Sequence, residues 1–93
     1  MQELTSKEIN EMKHCIGLDY KKPYKRHGKE FYKPYRNRYA TYVYDEVWNG
    51  LVGKGFSKHE SVDEKQRTVF YLTRKGLDAL GDVIGVHIYD EED

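Results

Sequence analysis

The sequence predicts a small α+β fold of about three helices with a two-stranded β-hairpin, and three observations predict it. An amphipathic segment near the N-terminus opens on a capping signal. A β-favouring run, Arg67–Leu72, follows a charged turn. Thr73 then leaves that strand and starts a third apolar period. At 93 residues the chain has the size of a single domain spanning 1–93. A chain this short buries only about 60–65% of the surface that its unfolded form exposes. That leaves little room for a deep substrate cavity and points to binding rather than catalysis.

The first helix starts at a capping box, Thr5-Ser6-Lys7-Glu8, with Leu4 and Ile9 placed as a hydrophobic staple. Ile9, Met12 and Ile16 form its apolar stripe with Cys15 beside them, and Gly17 suits its C-cap. Residues 19–39 show no helical or strand period. Pro23, Gly28 and Pro34 interrupt them, so they are expected to form a basic, tyrosine- and proline-containing loop. A second helix is expected over 44–54, with Val47 and Leu51, joined by Trp48 and Val52, on its apolar side. Phe56–Ser61 and Arg67–Leu72 read as the two strands of the hairpin, with Phe70 and Leu72 on one face. Thr73 caps a third helix through Leu80, and Val83, Ile84, Val86 and Ile88 suit a last short strand or packing segment. The expected core is Ile9, Met12, Ile16, Val47, Leu51, Phe56, Phe70, Leu72, Leu77 and Leu80.

The net charge is zero, with 16 cations and 16 acids, but the charge is unevenly placed. Residues 1–19 set Lys7 and Lys13 against Glu3, Glu8, Glu11 and Asp19. Residues 20–38 set Lys21, Lys22, Lys25, Arg26, Lys29, Lys33, Arg36 and Arg38 against Glu30 alone, a balance of +7. Six cations face eleven acids in the remainder, which ends in the acidic tail Asp90–Asp93. A confined positive segment steers anionic partners. This one interleaves its cations with tyrosines in Tyr20-Lys21-Lys22-Pro23-Tyr24-Lys25-Arg26 and Tyr32-Lys33-Pro34-Tyr35-Arg36. Cations neutralise phosphates and tyrosines stack on bases, so nucleic acid is the favoured partner. The candidate contacts are Lys21, Lys22, Tyr24, Lys25, Arg26, Lys29, Lys33, Tyr35, Arg36 and Arg38, with Lys58 and Arg67 from the hairpin. A loop that covers a thin core, or docks on an acidic protein, is the alternative.

The second half of the chain resembles a winged-helix domain. Leu51-Val52-Gly53-Lys54-Gly55-Phe56 matches the helix-ending turn before the wing, and Leu72-Thr73-Arg74-Lys75-Gly76 matches the strand-to-helix junction after it. The resemblance implies a small winged-helix-like domain whose hairpin is the wing. Over roughly its whole length the chain is also similar to small phage and prophage proteins of uncharacterised role, through His14-Cys15-Ile16-Gly17-Leu18-Asp19 and Tyr35-Arg36-Asn37. The sequence departs from the winged-helix pattern in one respect. The helix that should pack before the recognition helix is replaced by the Pro-interrupted basic segment, and the Trp48 helix offers Asp45, Glu46 and Asn49 to a ligand.

The remaining chemistry points away from catalysis. His14, His27, His59 and His87 lack metal-ligand spacing, and one cysteine cannot anchor a zinc site or an internal disulfide. His14 and Cys15 are adjacent on a helix and do not face each other. Gly50, Gly53 and Gly55 lack the spacing of a phosphate loop. Neither a secretory signal nor a run of about 20 apolar residues is present. The sequence therefore predicts a cytoplasmic accessory protein without enzyme activity, cofactor or metal. Its partner is nucleic acid or, alternatively, a protein, for example a host defence nuclease that it inhibits. The acidic tail reads as a solubilising end or a decoy for the basic segment.

Overall fold

The structure, a computed structural model, describes residues 4–18 and 22–89. Along the chain run α1 (Ser6–Ile16), β1 (Tyr24–Arg26), β2 (Lys29–Tyr32), β3 (Tyr39–Tyr42), α2 (Glu46–Gly53), β4 (Ser57–His59), β5 (Arg67–Leu72), α3 (Arg74–Ile84) and β6 (His87–Ile88). The strands form two small sheets, a mixed one in the order β1-β2-β6 and an antiparallel one in the order β3-β5-β4. The protein is therefore a small α+β fold.

The helix starts follow their capping residues. The Thr5 hydroxyl accepts the Glu8 N–H at 3.1 Å, and the Glu8 carboxylate accepts the Thr5 N–H at 2.8 Å. Asp45 caps α2 by accepting the N–H groups of Val47 and Trp48, which starts that helix two residues later than expected. The Thr73 hydroxyl accepts the Gly76 N–H and donates to the Gly55 carbonyl, so one side chain starts α3 and ties it to the end of α2. Helix α3 runs past Gly81 to Ile84. A glycine inside a helix costs about 1 kcal/mol, but Gly81 is buried against the Val86 backbone, and Gly85 supplies the left-handed stop.

The expected loop at 19–39 is replaced, in its described part, by ordered structure. β1 and β2 form an antiparallel hairpin in which Tyr24 pairs with Phe31 and Arg26 with Lys29. His27 and Gly28 make its two-residue turn with φ of 53° and 79°. Two successive left-handed residues match the twist of a tight hairpin. Glycine adopts that region freely and histidine tolerates it better than most residues. β6 then pairs with β2 in parallel, Phe31 beside His87 and Tyr32 beside Ile88.

The core lies between α1, α2 and α3 and the inner face of β3-β5-β4. Met12, Ile16, Leu51, Phe56, Phe70, Leu72, Leu77 and Leu80 are buried there as expected. Ile9 and Val47 are only half-buried. The centre of α2 is instead filled by Trp48, whose indole sits 5.1 Å from the Tyr39 ring and 5.5 Å from Phe70. Tyr32, Cys15, Val86 and Ile88 complete the core. Tyr32 belongs to the basic segment and the last two to the C-terminal strand region.

Gly76 permits the closest approach in the fold. A Cβ there would overlap the Phe56 carbonyl oxygen, whereas a Cβ at Gly50 would meet only the Glu8 carboxylate at 3.7 Å. Gly76→Ala is expected to lower stability by about 1–3 kcal/mol, and Gly50→Ala to raise it by about 0.5–1 kcal/mol. Urea titrations of both variants check this, and equal effects would refute the packing described at Gly76.

The buried Glu8 carboxylate joins the start of α1 to the end of α2, accepting the Lys54 ammonium at 2.9 and 3.0 Å. Burial works to raise its pKa, but hydrogen bonds from Thr5 and Lys54 outweigh that and hold it below the ordinary value. A carboxylate with a depressed folded pKa adds stability above its unfolded pKa, about 4.3 for Glu. It loses that contribution as pH falls through the folded value. Lys54→Met should therefore destabilise the protein by about 1–3 kcal/mol at neutral pH. The gap to wild type should narrow below about pH 4 as Glu8 is protonated. Denaturation at pH 7 and pH 3 measures the gap, and a pH-independent gap would rule the ion pair out as its source.

Candidate nucleic-acid interface

The basic segment divides into two parts with different tasks. Its second part, residues 32–38, binds the C-terminal end of α1. The last carbonyls of a helix have no partner within it, and here all four are satisfied. Lys13 O accepts the Leu18 N–H at 2.9 Å, and His14 O accepts the Arg36 guanidinium at 2.7 Å. Cys15 O accepts the Arg38 N–H at 3.2 Å, and Ile16 O accepts the Tyr32 hydroxyl at 2.8 Å. Asn37 completes the junction. Its side-chain amide donates to Leu72 O at 2.9 Å and accepts the Leu72 N–H at 2.8 Å, extending the β3–β5 ladder by one rung made from a side chain.

This placement changes the meaning of several predicted contacts. Arg36 is a helix-capping group whose guanidinium also lies 5.5 Å from the Tyr35 ring centroid. Tyr35 is half-exposed and packs over Gly17. Arg38 fixes α1 through its backbone, while its exposed side chain borders a cleft shared with His14, Tyr39 and Ala40.

The first part forms a surface. Strand alternation and register put Tyr24 and Arg26 of β1, Phe31 and Lys29 of β2, and His87 of β6 on one face of the mixed sheet. The opposite face carries Tyr32 and Ile88 into the core, with Lys25 and Glu30 paired beyond it. Tyr89, just past β6, joins the outer face. Its ring lies 6.1 Å from Phe31 at 20°, and Tyr24 lies 5.9 Å from Phe31 on the other side at 25°. His87 stands edge-on to Phe31 and Tyr89. Three near-parallel rings thus form a row, and Arg26 and Lys29 sit at its hairpin end. Lys22 and Lys33 are exposed just outside the strands. None of these four cations makes an ion pair with another described residue.

The other predicted contacts lie elsewhere. Lys58 and Arg67 are on the outer face of the β3-β5-β4 sheet, and Arg67 is bonded to Asp63 through its Nε at 3.2 Å. Asp63 also accepts the N–H groups of Lys65 and Arg67, which shapes the turn between β4 and β5. Its neighbours hold its carboxyl below the ordinary value, Arg67's backbone N–H foremost. Lys21 and the acidic tail lie outside the described residues. The sequence reading missed Phe31, His87 and Tyr89 as surface partners. The one signal for them was the Arg26-His27-Gly28-Lys29 turn, whose glycine is in the right place for a tight hairpin.

Trp48 is fully buried, so the outward side of α2 presents Glu46 and Asn49, and Asn49 is bonded to Val43 O. No group of three or more His, Cys, Asp or Glu side chains among the described residues is placed to hold a metal. No described helix is long and apolar enough to cross a membrane. Comparison with protein-family models, curated proteins and solved structures gave no match.

Cys15 lies under this junction, fully buried, with its thiol 3.4 Å from the Asn37 side-chain oxygen. Burial pushes its pKa up to about 12, against the opposing pull of the Arg36 charge. Thiolate is the reactive form, so native protein at pH 8 should resist iodoacetamide and unfolded protein should be alkylated quickly. Mass spectrometry of the two samples checks this, and rapid labelling of native protein would show that the 32–38 junction is open.

Proposed function

We propose that this protein is a non-catalytic, winged-helix-like accessory protein that binds nucleic acid through the outer face of β1-β2-β6. The observation that carries this reading is the row Tyr24–Phe31–Tyr89 bordered by Arg26 and Lys29, cations without a described acidic partner. Rings supply stacking surface and free cations supply phosphate neutralisation, the two terms that nucleic-acid binding combines. The winged-helix part of the reading is supported by the strand order β3-β5-β4 and by the β4–β5 hairpin leading into α3. α1 packs on α2 but is separated from it along the chain by β1, β2 and β3. β3 leads through a short turn straight into α2, so among the described residues no helix stands immediately before α2 as a helix-turn-helix requires. The contact surface is accordingly assigned away from α2.

A protein partner is the second reading. Tyr42 and Tyr44 stack at 5.0 Å on the far sheet, both well exposed, beside Ala40 and Val69. Exposed paired tyrosines of this kind are common in protein contacts.

Engagement of about four cations predicts a slope of log affinity against log salt of roughly −3 to −4. Replacing Arg26 and Lys29 with glutamine should reduce that slope by roughly 1.5. Thermal stability should be unchanged, because both side chains are exposed. Titration of both proteins at several salt concentrations tests the reading. Absence of affinity for any nucleic acid at low salt would hand the function to the protein-partner alternative.

A further inference from the structure

We infer that the ligand of the β1-β2-β6 face is single-stranded nucleic acid, a base lying on the exposed Tyr24 ring at the end of the aromatic row and the phosphates along Arg26 and Lys29. This rests on the nucleic-acid reading above and specifies the form of the ligand. Ring spacing is the first ground. The three centroids are separated by 5.9 and 6.1 Å, whereas successive bases in a duplex strand rise by about 3.4 Å. The rings stack on one another, and a gap of about 6 Å is narrower than the two such spacings that a base between two rings would need. A base therefore meets the row at its exposed end, on Tyr24. An unpaired base can turn onto that ring, whereas a paired one cannot without losing its pairing.

The shape and composition of the face are the second ground. The rings stand on a sheet surface rather than on a helix or ribbon that could enter a major groove. The elements that would meet duplex in a winged-helix protein are poorly charged for it. α2 turns Glu46 and Asn49 outward, and the β4–β5 turn mixes Lys58 and Lys65 with Glu60, Asp63 and Glu64 while Arg67 is spent on Asp63. The charge on the rim of the aromatic row is, by contrast, positive among the described residues on that face: Arg26 and Lys29, with Lys22 and Lys33 near the other end of the strands.

The test compares fluorescence anisotropy of an oligothymidylate of about 12 nucleotides with that of a duplex of equal length. The proteins are wild type, Tyr24→Leu, Tyr24→Phe and the Arg26→Gln/Lys29→Gln double variant, all first shown to share the wild-type melting temperature. The single strand should bind at least about tenfold more tightly than the duplex. Tyr24→Leu should weaken single-strand binding by roughly 5- to 100-fold and leave duplex binding in place, since stacking on one ring is being removed. Tyr24→Phe keeps the ring and should keep the affinity. If duplex binds as tightly as single strand, or Tyr24→Leu affects both alike, the single-strand inference fails. The nucleic-acid reading survives that result provided the double charge variant still weakens binding. If wild type binds neither probe at low salt, both fail together.

Discussion

The structure depends on how the C-terminal end of α1 is closed. Four carbonyls there need partners, and an unsatisfied buried group costs about 1–3 kcal/mol. Leu18 serves one of them locally, and the chain meets the other three with residues from far along the sequence, through Tyr32, Arg36 and Arg38, while Asn37 hooks the same segment to β5. One short stretch therefore fixes α1 to the antiparallel sheet. It also sets the directions in which β2 enters and β3 leaves.

That arrangement explains how a neutral protein can hold a positive surface. Cations of the basic segment near the junction are absorbed into it, Arg36 most completely. Those before it project with the hairpin, where alternation separates Arg26 and Lys29 from the Lys25–Glu30 pair on the other side. Acidic side chains are drawn into caps and turns: Glu8 at α1, Asp45 at α2 and Asp63 between β4 and β5. Local hydrogen-bonding needs thus sort the charges, and among the described residues on its face the aromatic row is left beside Arg26 and Lys29.

The parts of the fold legible in the sequence are those set by local chemistry. Thr5-Ser6-Lys7-Glu8 and Thr73 announce helix starts because a capping side chain and its acceptor lie within three residues. Arg67–Leu72 alternates because one of its faces is buried. The hairpin at 24–32 was illegible because most of its side chains face solvent, so no apolar alternation marks it, and its last partner, β6, comes from the other end of the chain. Tyr32 looked like its neighbours Tyr24 and Tyr35, yet only Tyr32 has a carbonyl of α1 within reach of its hydroxyl and is buried. Lys25, Arg26, Arg36 and Arg38 were equally indistinguishable as cations. Strand parity and helix-end demand separate them, and neither can be read from composition.

The parallel rung between β2 and β6 has a consequence for the order in which the chain organises itself. Phe31 and Tyr32 must wait for His87 and Ile88, which α3 delivers through the Arg74 guanidinium on Ile88 O and the Val86 N–H on Gly81 O. Long-range pairings are entropically late events in folding. During synthesis, the tip bearing Tyr24 can curl about its turn early, but the third ring of the row arrives only after α3 has emerged. The row is thus completed only once α3 has folded and β6 has docked, so the hairpin that carries its first two rings stands unfinished until then.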